Sequence, residues 1–307
     1  MQPLRGAVIG VGYLGNFHAQ KVAANPRSQL VGVFDPHQAQ SEKIANSLNC
    51  QSFKSLDEIP GQVDFVTIAA ATQAHYDLAE FFLKNKIPTL VEKPIAATAE
   101  QGEKLSELAA KNNVVFSVGH IERFNPAYKY LKQNQQNIRY LELNRLAPFR
   151  VRGSDVSVLH DLMIHDYDLV QFIFNQKIKK HMIFGHQMIR PTTDDVSVYL
   201  QLESGTQVHI QNSRLMPQII RNYRAVFQDH TLFMNTATME GEFLYPAPEQ
   251  EAFMRTEKVT LEKVDSLALE IDHFISAVKK EKPVAITPYE ATEALRQIEA
   301  FVKELGS

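Results

Sequence analysis

The chain has 307 residues, 44% hydrophobic and 22% charged, with 32 basic against 35 acidic side chains for a formal charge of −3. This is ordinary globular composition, enough for two domains. The absence of a basic block argues against nucleic acid as a partner, and no apolar run reaches the length of a membrane span. Cys50 is the single cysteine, so no internal disulfide can form. The first residues run straight into a glycine-studded strand and do not read as a signal peptide, so the expected location is the cytoplasm.

Residues 4 to 9 read as a buried strand, followed by Gly10-Val11-Gly12-Tyr13-Leu14-Gly15, a helix to Ala24, and a strand over 28 to 34 ending at Asp35. Strand, glycine turn, helix and strand make the βαβ unit of a dinucleotide site. The first glycine permits the tight turn, the second lets a pyrophosphate approach the backbone, and the third lets helix pack on strand. Asp35 lies 20 residues after Gly15 at the tip of the second strand. A carboxylate there accepts from ribose hydroxyls and repels a 2′-phosphate, which favours NAD over NADP. Helices over 37 to 48, 72 to 85 and 98 to 112 alternate with strands over 63 to 70, 87 to 91 and 114 to 118. Thr72 is the expected cap of its helix, and His75 in the first turn reads either as facing the cofactor or as a surface histidine. The pattern predicts a doubly wound parallel sheet over residues 1–122. The strand at 87 ends in Glu92-Lys93-Pro94, which puts a cation where such sheets bind ligands.

From residue 123 to 307 the pattern turns strand-heavy. A short helix covers 126 to 133, and strands are expected over 138–146, 178–189, 196–202, 206–212, 223–227, 231–234 and 259–261. Helices over 266–280 and 289–305 close the chain. This predicts an α+β domain with a large, mostly antiparallel sheet carrying helices on one face. Its other face calls for a cover, so a homodimer or homotetramer through this sheet is expected.

One helix, expected over 156–175, is apolar nearly all round yet carries His160, Asp161, His165, Asp166 and Asp168, five polar residues in nine positions. Any one alone reads as a hydrogen-bonded core residue; together they read as a site. Asp161 and His165 are four apart and share a helix face, where the acid fixes the imidazole's tautomer and raises its basicity. A metal held by His160, Asp161, His165 and Asp166 is the other chemical reading. It is set aside because the two histidines are five apart on a helix, and no metal is expected.

Gly10-x-Gly12-x-x-Gly15, Glu92-Lys93-Pro94, Gly119-His120-x-x-Arg123-Phe-Asn125-Pro126 and Asp161-x-x-x-His165, in that order, resemble the glucose–fructose oxidoreductase / inositol dehydrogenase / MocA family over essentially the whole chain. The resemblance implies hydride transfer between a nicotinamide and a sugar-type secondary alcohol, with Lys93 and His165 flanking the reacting carbinol and Asp161 as orienter or substrate ligand. It implies a cofactor set of Gly10, Gly12, Tyr13, Leu14, Gly15, Asp35, Ala70, Thr72, His75, Glu92 and Lys93. The implied substrate set is His120, Arg123, Arg152, Asp161 and His165. The family often has a cis bond before Pro94. The motif forms look most like a branch that oxidises UDP-N-acetylglucosamine at C3. Arg145, Arg150, Arg152, Arg214, Arg221 and Arg224 suit a diphosphate, although surface arginines explain them as well. The fold also serves a non-catalytic, cofactor-sensing regulator, but the filled lysine and histidine positions favour an enzyme.

Overall fold

The computed structural model describes residues 2–151, 156–249 and 253–306. It begins with β1 (Leu4–Ile9), α1 (Tyr13–Ala24), β2 (Ser28–Phe34), α2 (Gln38–Leu48), a two-residue β3 (Gln51–Ser52), β4 (Phe65–Ile68), α3 (Thr72–Lys84), β5 (Thr89–Glu92), α4 (Ala99–Asn112) and β6 (Phe116–Gly119). These strands form one parallel sheet ordered β3-β2-β1-β4-β5-β6. β4, β5 and β6 are buried at every residue, as strands covered on both faces must be. The strand order reverses between β1 and β4, which marks the carboxyl edge there as the ligand crevice.

The chain continues through α5 (Pro126–Gln133), β7 (Ile138–Leu146), α6 (Ile164–Phe174), β8 (Ile178–His186), β9 (Asp195–Leu202), β10 (Gln207–Ser213), β11 (Ile220–Phe227), β12 (Thr231–Asn235), β13 (Glu240–Pro246) and β14 (Met254–Thr260), and ends in α7 (Ser266–Val278) and α8 (Pro288–Leu305). The eight strands form a second sheet ordered β14-β13-β12-β11-β7-β10-β9-β8, antiparallel except for the β7–β10 pair. Its two faces follow from register. Ile183, Val198, Ile210, Leu143, Tyr223, Met234 and Gly241 form one transverse row, with every side chain from Val198 to Met234 buried. The neighbouring row, Met182, Tyr199, His209, Glu142, Arg224, Phe233, Glu242 and Lys258, lies on the opposite face. β13 was not foreseen, because its Gly241 and terminal Pro246 interrupt the alternation that marks a strand.

Two compact units emerge, one of residues 1–121 with 265–296, the other of 122–264 with 297–307. A single cut at 122/123, the division drawn from sequence, misses the return of α7. Leu267, Ile271, Phe274 and Ile275 of α7 join the core that holds Val8, Ala19, Val22 and Leu90. Helical periodicity marks the buried face of such a helix but not the element that buries it.

Candidate active site

In the first unit Gly10 adopts φ +81°, and a Cβ on Gly15 would lie 1.8 Å from the Gly10 carbonyl oxygen. The turn closes only with glycine at these two positions. A Cβ on Gly12, by contrast, meets nothing within 4 Å, so the turn is open at its middle glycine. Gly12 also stands at the N-cap of α1 and supplies no side chain to the first-turn amides, which suits a phosphate. Asp35 accepts from the Val11 N–H through Oδ2 and from the His37 N–H through Oδ1, both at 2.9 Å. A carboxylate has about four acceptor sites, so two remain for ribose hydroxyls. Open glycine, uncapped helix and tethered carboxylate together fit a dinucleotide. Tyr13 is exposed beside them, its ring edge-on to Phe17 at 5.2 Å, and Leu14 is half-buried.

Three expectations for the cofactor set change. Thr72 is the first residue of α3 and the cap is Ala71, so Thr72 does not cap the helix. His75 is 1% exposed, with Nδ1 2.8 Å from the Pro94 carbonyl and Nε2 3.1 Å from that of Ala70. It ties the end of β4 to the turn after β5 and does not present its ring to a ligand. Burial holds its pKa below the usual imidazole range, against the pull of the two carbonyls. Glu92 is likewise buried, with Oε1 2.8 Å from His18 Nε2, so its carboxylate is turned to α1 and not to a cofactor. Lys93 follows directly, half-buried at the carboxyl end of β5, and the Lys93–Pro94 bond is cis. Ala70 is half-buried just beyond β4, and His120 is buried just beyond β6.

In the second unit two aspartates of the polar helix are held by arginines. Arg123 holds Asp168 through Nε–Oδ2 at 2.9 Å and Nη2–Oδ1 at 2.7 Å, both residues buried. Arg145 reaches Asp166 through Nη2–Oδ1 at 2.8 Å and Glu122 through Nη1–Oε1 at 2.7 Å. Asn212 Nδ2 completes Asp166 at 2.6 Å. Burial pushes Glu122 up, but the charge and hydrogen bond of Arg145, with Arg221 and Asn125, together outweigh it and leave the carboxyl below its usual range. Arg123, expected at the substrate, is thus committed to an internal pair because a buried guanidinium requires a carboxylate. The same holds for Arg145, and for Arg214, whose Nε lies 2.6 Å from Asp194 Oδ1. Asp194 also accepts three backbone N–H bonds from Met188, Ile189 and Arg190, and these, with Arg214, overcome burial and lower its pKa to about 2. Arg224 pairs with Glu142 at 2.7 Å. Arg150 and Arg221 are exposed, and Arg152 lies outside the described residues.

His160, Asp161 and His165 are half-buried. Residues Leu159–Met163 form a π-helical turn, with the Ile164 N–H bonded to the Leu159 carbonyl, before α6 begins. A wheel drawn straight through 156–175 therefore misplaces His160 and Asp161 relative to His165, because the i→i+5 turn shifts their angular positions. Such turns occur often at functional sites. Among the described residues no group of three or more His, Cys, Asp or Glu could hold a metal ion. Sequence reading missed His18, Glu122, Asn212 and Glu270. His18 left a signal as a polar residue on the apolar face of α1 beside Ala19 and Val22, and Glu270 left a similar one as a lone acid on the apolar face of α7.

A model of an oxidoreductase family with an NAD-binding Rossmann fold, GFO/IDH/MocA, matches residues 4–120, and the family's C-terminal domain model matches residues 138–228. UDP-N-acetylglucosamine 3-dehydrogenase of Acidithiobacillus ferrooxidans is 35% identical over 286 residues, covering 92% of this chain and 90% of that one. A solved structure of that enzyme superposes with a TM-score of 0.92 at 32% identity, over 99% of both chains. The NAD-dependent scyllo-inositol 2-dehydrogenase of Bacillus subtilis is 25% identical over 94% of this chain and 90% of its own.

Proposed function

Since the chain belongs to the Gfo/Idh/MocA family of NAD-binding oxidoreductases, we propose that it oxidises a nucleotide sugar, UDP-N-acetylglucosamine at C3. The observation that carries the chemistry is Lys93 at the carboxyl end of β5, in the same unit as the open glycine turn and Asp35. The choice of substrate rests on the extended similarity to the Acidithiobacillus enzyme.

Bound NAD supplies the hydride acceptor. His165 takes the proton of the carbinol, since imidazole titrates near neutrality. Asp161 orients it or the sugar. Lys93 donates a hydrogen bond to the substrate oxygen and stabilises the negative charge that develops there. Arg221 is the register neighbour of Arg145 across β7 and β11 but is exposed, and with Arg150 it is the cation offered to a diphosphate. His120 and Arg152 complete the proposed substrate contacts.

NADH formation by purified protein, compared across UDP-N-acetylglucosamine, free N-acetylglucosamine and myo-inositol, tests the reading. Turnover of the nucleotide sugar alone is expected; equal rates on the free sugars would remove the nucleotide-sugar assignment.

We also propose that a second copy covers the outer face of the large sheet. Met182, Phe184, Tyr199 and Phe233 stand exposed there, and Phe233 helps line a groove of about 910 Å³ with Glu142, Asn222, Arg224 and Lys258. Light scattering of Phe184→Glu against wild type tests this: a smaller particle is expected, and an unchanged one would contradict it. No helix among the described residues is long and apolar enough to cross a membrane. The reading places the reaction in the cytoplasm, which cell fractionation tests.

A further inference from the structure

α7 buries Leu267, Ile271, Phe274 and Ile275 in the core of the first unit. On that buried side lies Glu270, 2% exposed, and neither carboxyl oxygen has a hydrogen-bond partner among the described residues. The charge that acts on it is that of Glu92, of like sign. Glu92 sits in different company. His18 of α1 lies 2.8 Å from Oε1, and Lys93 and His75 act on it as well. Room for its carboxyl is left by its register partner on β6: a Cβ on Gly119 would come within 2.8 Å of Oε1. Of the two buried carboxyls, Glu92 has a nitrogen partner, whereas Glu270 has no hydrogen-bond partner among the described residues and feels a like charge, which disfavours its ionisation.

We propose that His18, Glu92 and Glu270 form a buried positioning cluster in which Glu270 is a neutral acid and Glu92, as the charged member, favours the ammonium form of Lys93. The charged and titratable groups that act on Glu92 are His18 from α1, which touches it, His75 from α3 and Lys93 at its own strand end, and its charge acts in turn on Glu270 from α7. Burial and the Glu92 charge push Glu270 well above the usual carboxyl range. Burial pushes Glu92 up too, but His18, Lys93 and His75 bring it below its usual range. An ionised Glu92 can only accept, so His18 donates its Nε2–H. The inference rests on the role given to Lys93 and supplies a reason for that lysine to stay cationic.

NMR tests it without turnover. With carbon-13 in the glutamate carboxyls and Glu270→Gln for assignment, the Glu270 signal should remain that of a protonated acid at neutral pH. Ionisation alongside the exposed glutamates would overturn the cluster. With nitrogen-15 in the lysines and Lys93→Arg for assignment, Lys93 should titrate about one pH unit lower in Glu92→Gln, because an adjacent anion is lost. In Glu270→Gln the Lys93 signal at neutral pH should stay as in wild type, since one neutral group replaces another there. A changed signal would mean that Glu270 was an anion at neutral pH and would also overturn the proposal. That second variant decides alone if Glu92→Gln does not fold. If Lys93 shifts in Glu92→Gln while the pH profile of kcat/KM stays put, the cluster stands and the role of Lys93 in the reaction falls.

Discussion

The two units each bury a cluster of charged side chains, and they balance them differently. In the second unit every carboxylate of the buried network has an arginine: Asp168 has Arg123, Asp166 and Glu122 have Arg145, and Asp194 has Arg214. In the first, His18 serves Glu92, and Glu270 has no partner among the described residues. The matched network is architecture. It pins α6 to the inner face of the large sheet through Asp166 and Asp168. The unmatched cluster sits one residue from Lys93. Excess polarity in a core therefore marks function where the charges do not cancel, and packing where they do.

The largest effect separates reacting groups from both clusters. Lys93→Ala and His165→Ala should each lower turnover by about 10²–10⁴-fold while leaving NAD affinity near wild type by titration calorimetry. Lost NAD affinity in both would mean that the residues hold the cofactor instead. The matched network should fail as a unit. Arg145→Met strands Glu122 and Asp166 and should cost about 3–5 kcal/mol in urea unfolding, part of which Asp166→Leu in the same chain restores. A loss within experimental error would mean that the network does not hold α6. Asp35→Ser should raise the KM for NAD about tenfold, the worth of a hydrogen bond to a charged group, and improve the use of NADP. An unchanged preference would remove Asp35 from the ribose.

The smallest effect concerns the unmatched acid. Because Glu270 has a raised pKa in the folded state, its stabilising contribution is complete below the ordinary glutamate range. It is lost as pH rises toward the folded value. Glu270→Gln should therefore melt increasingly above wild type as pH rises, by about 2–4 °C at alkaline pH. A gap that does not widen with pH would show that Glu270 is ionised in the folded protein.

The Rossmann unit was legible because its signals are local. Glycine spacing, the acid at the tip of β2 and short apolar strands each lie within one βαβ stretch. The large sheet was legible in type through its alternation, although β13 was hidden by its glycine and proline. What sequence could not supply were partners distant in the chain. Arg123 and Asp168 are 45 residues apart, and Arg145 and Asp166 are 21 apart. Read without their partners, these arginines looked like substrate ligands and these aspartates like members of a polar site. The π turn at Leu159–Met163 was invisible for another reason, because no residue type distinguishes i→i+5 from i→i+4 bonding. Glu270 lay on an apolar helix face, where a lone acid reads as a solvated edge until the packing of α7 is known.

The most direct measurement is the rate of NADH formation from NAD and UDP-N-acetylglucosamine by the wild-type protein, Lys93→Ala and His165→Ala side by side. Substrate-dependent NADH from the wild type, and a loss of at least about a hundredfold in each variant, is the predicted result. NADH formation that survives in both variants would contradict the account.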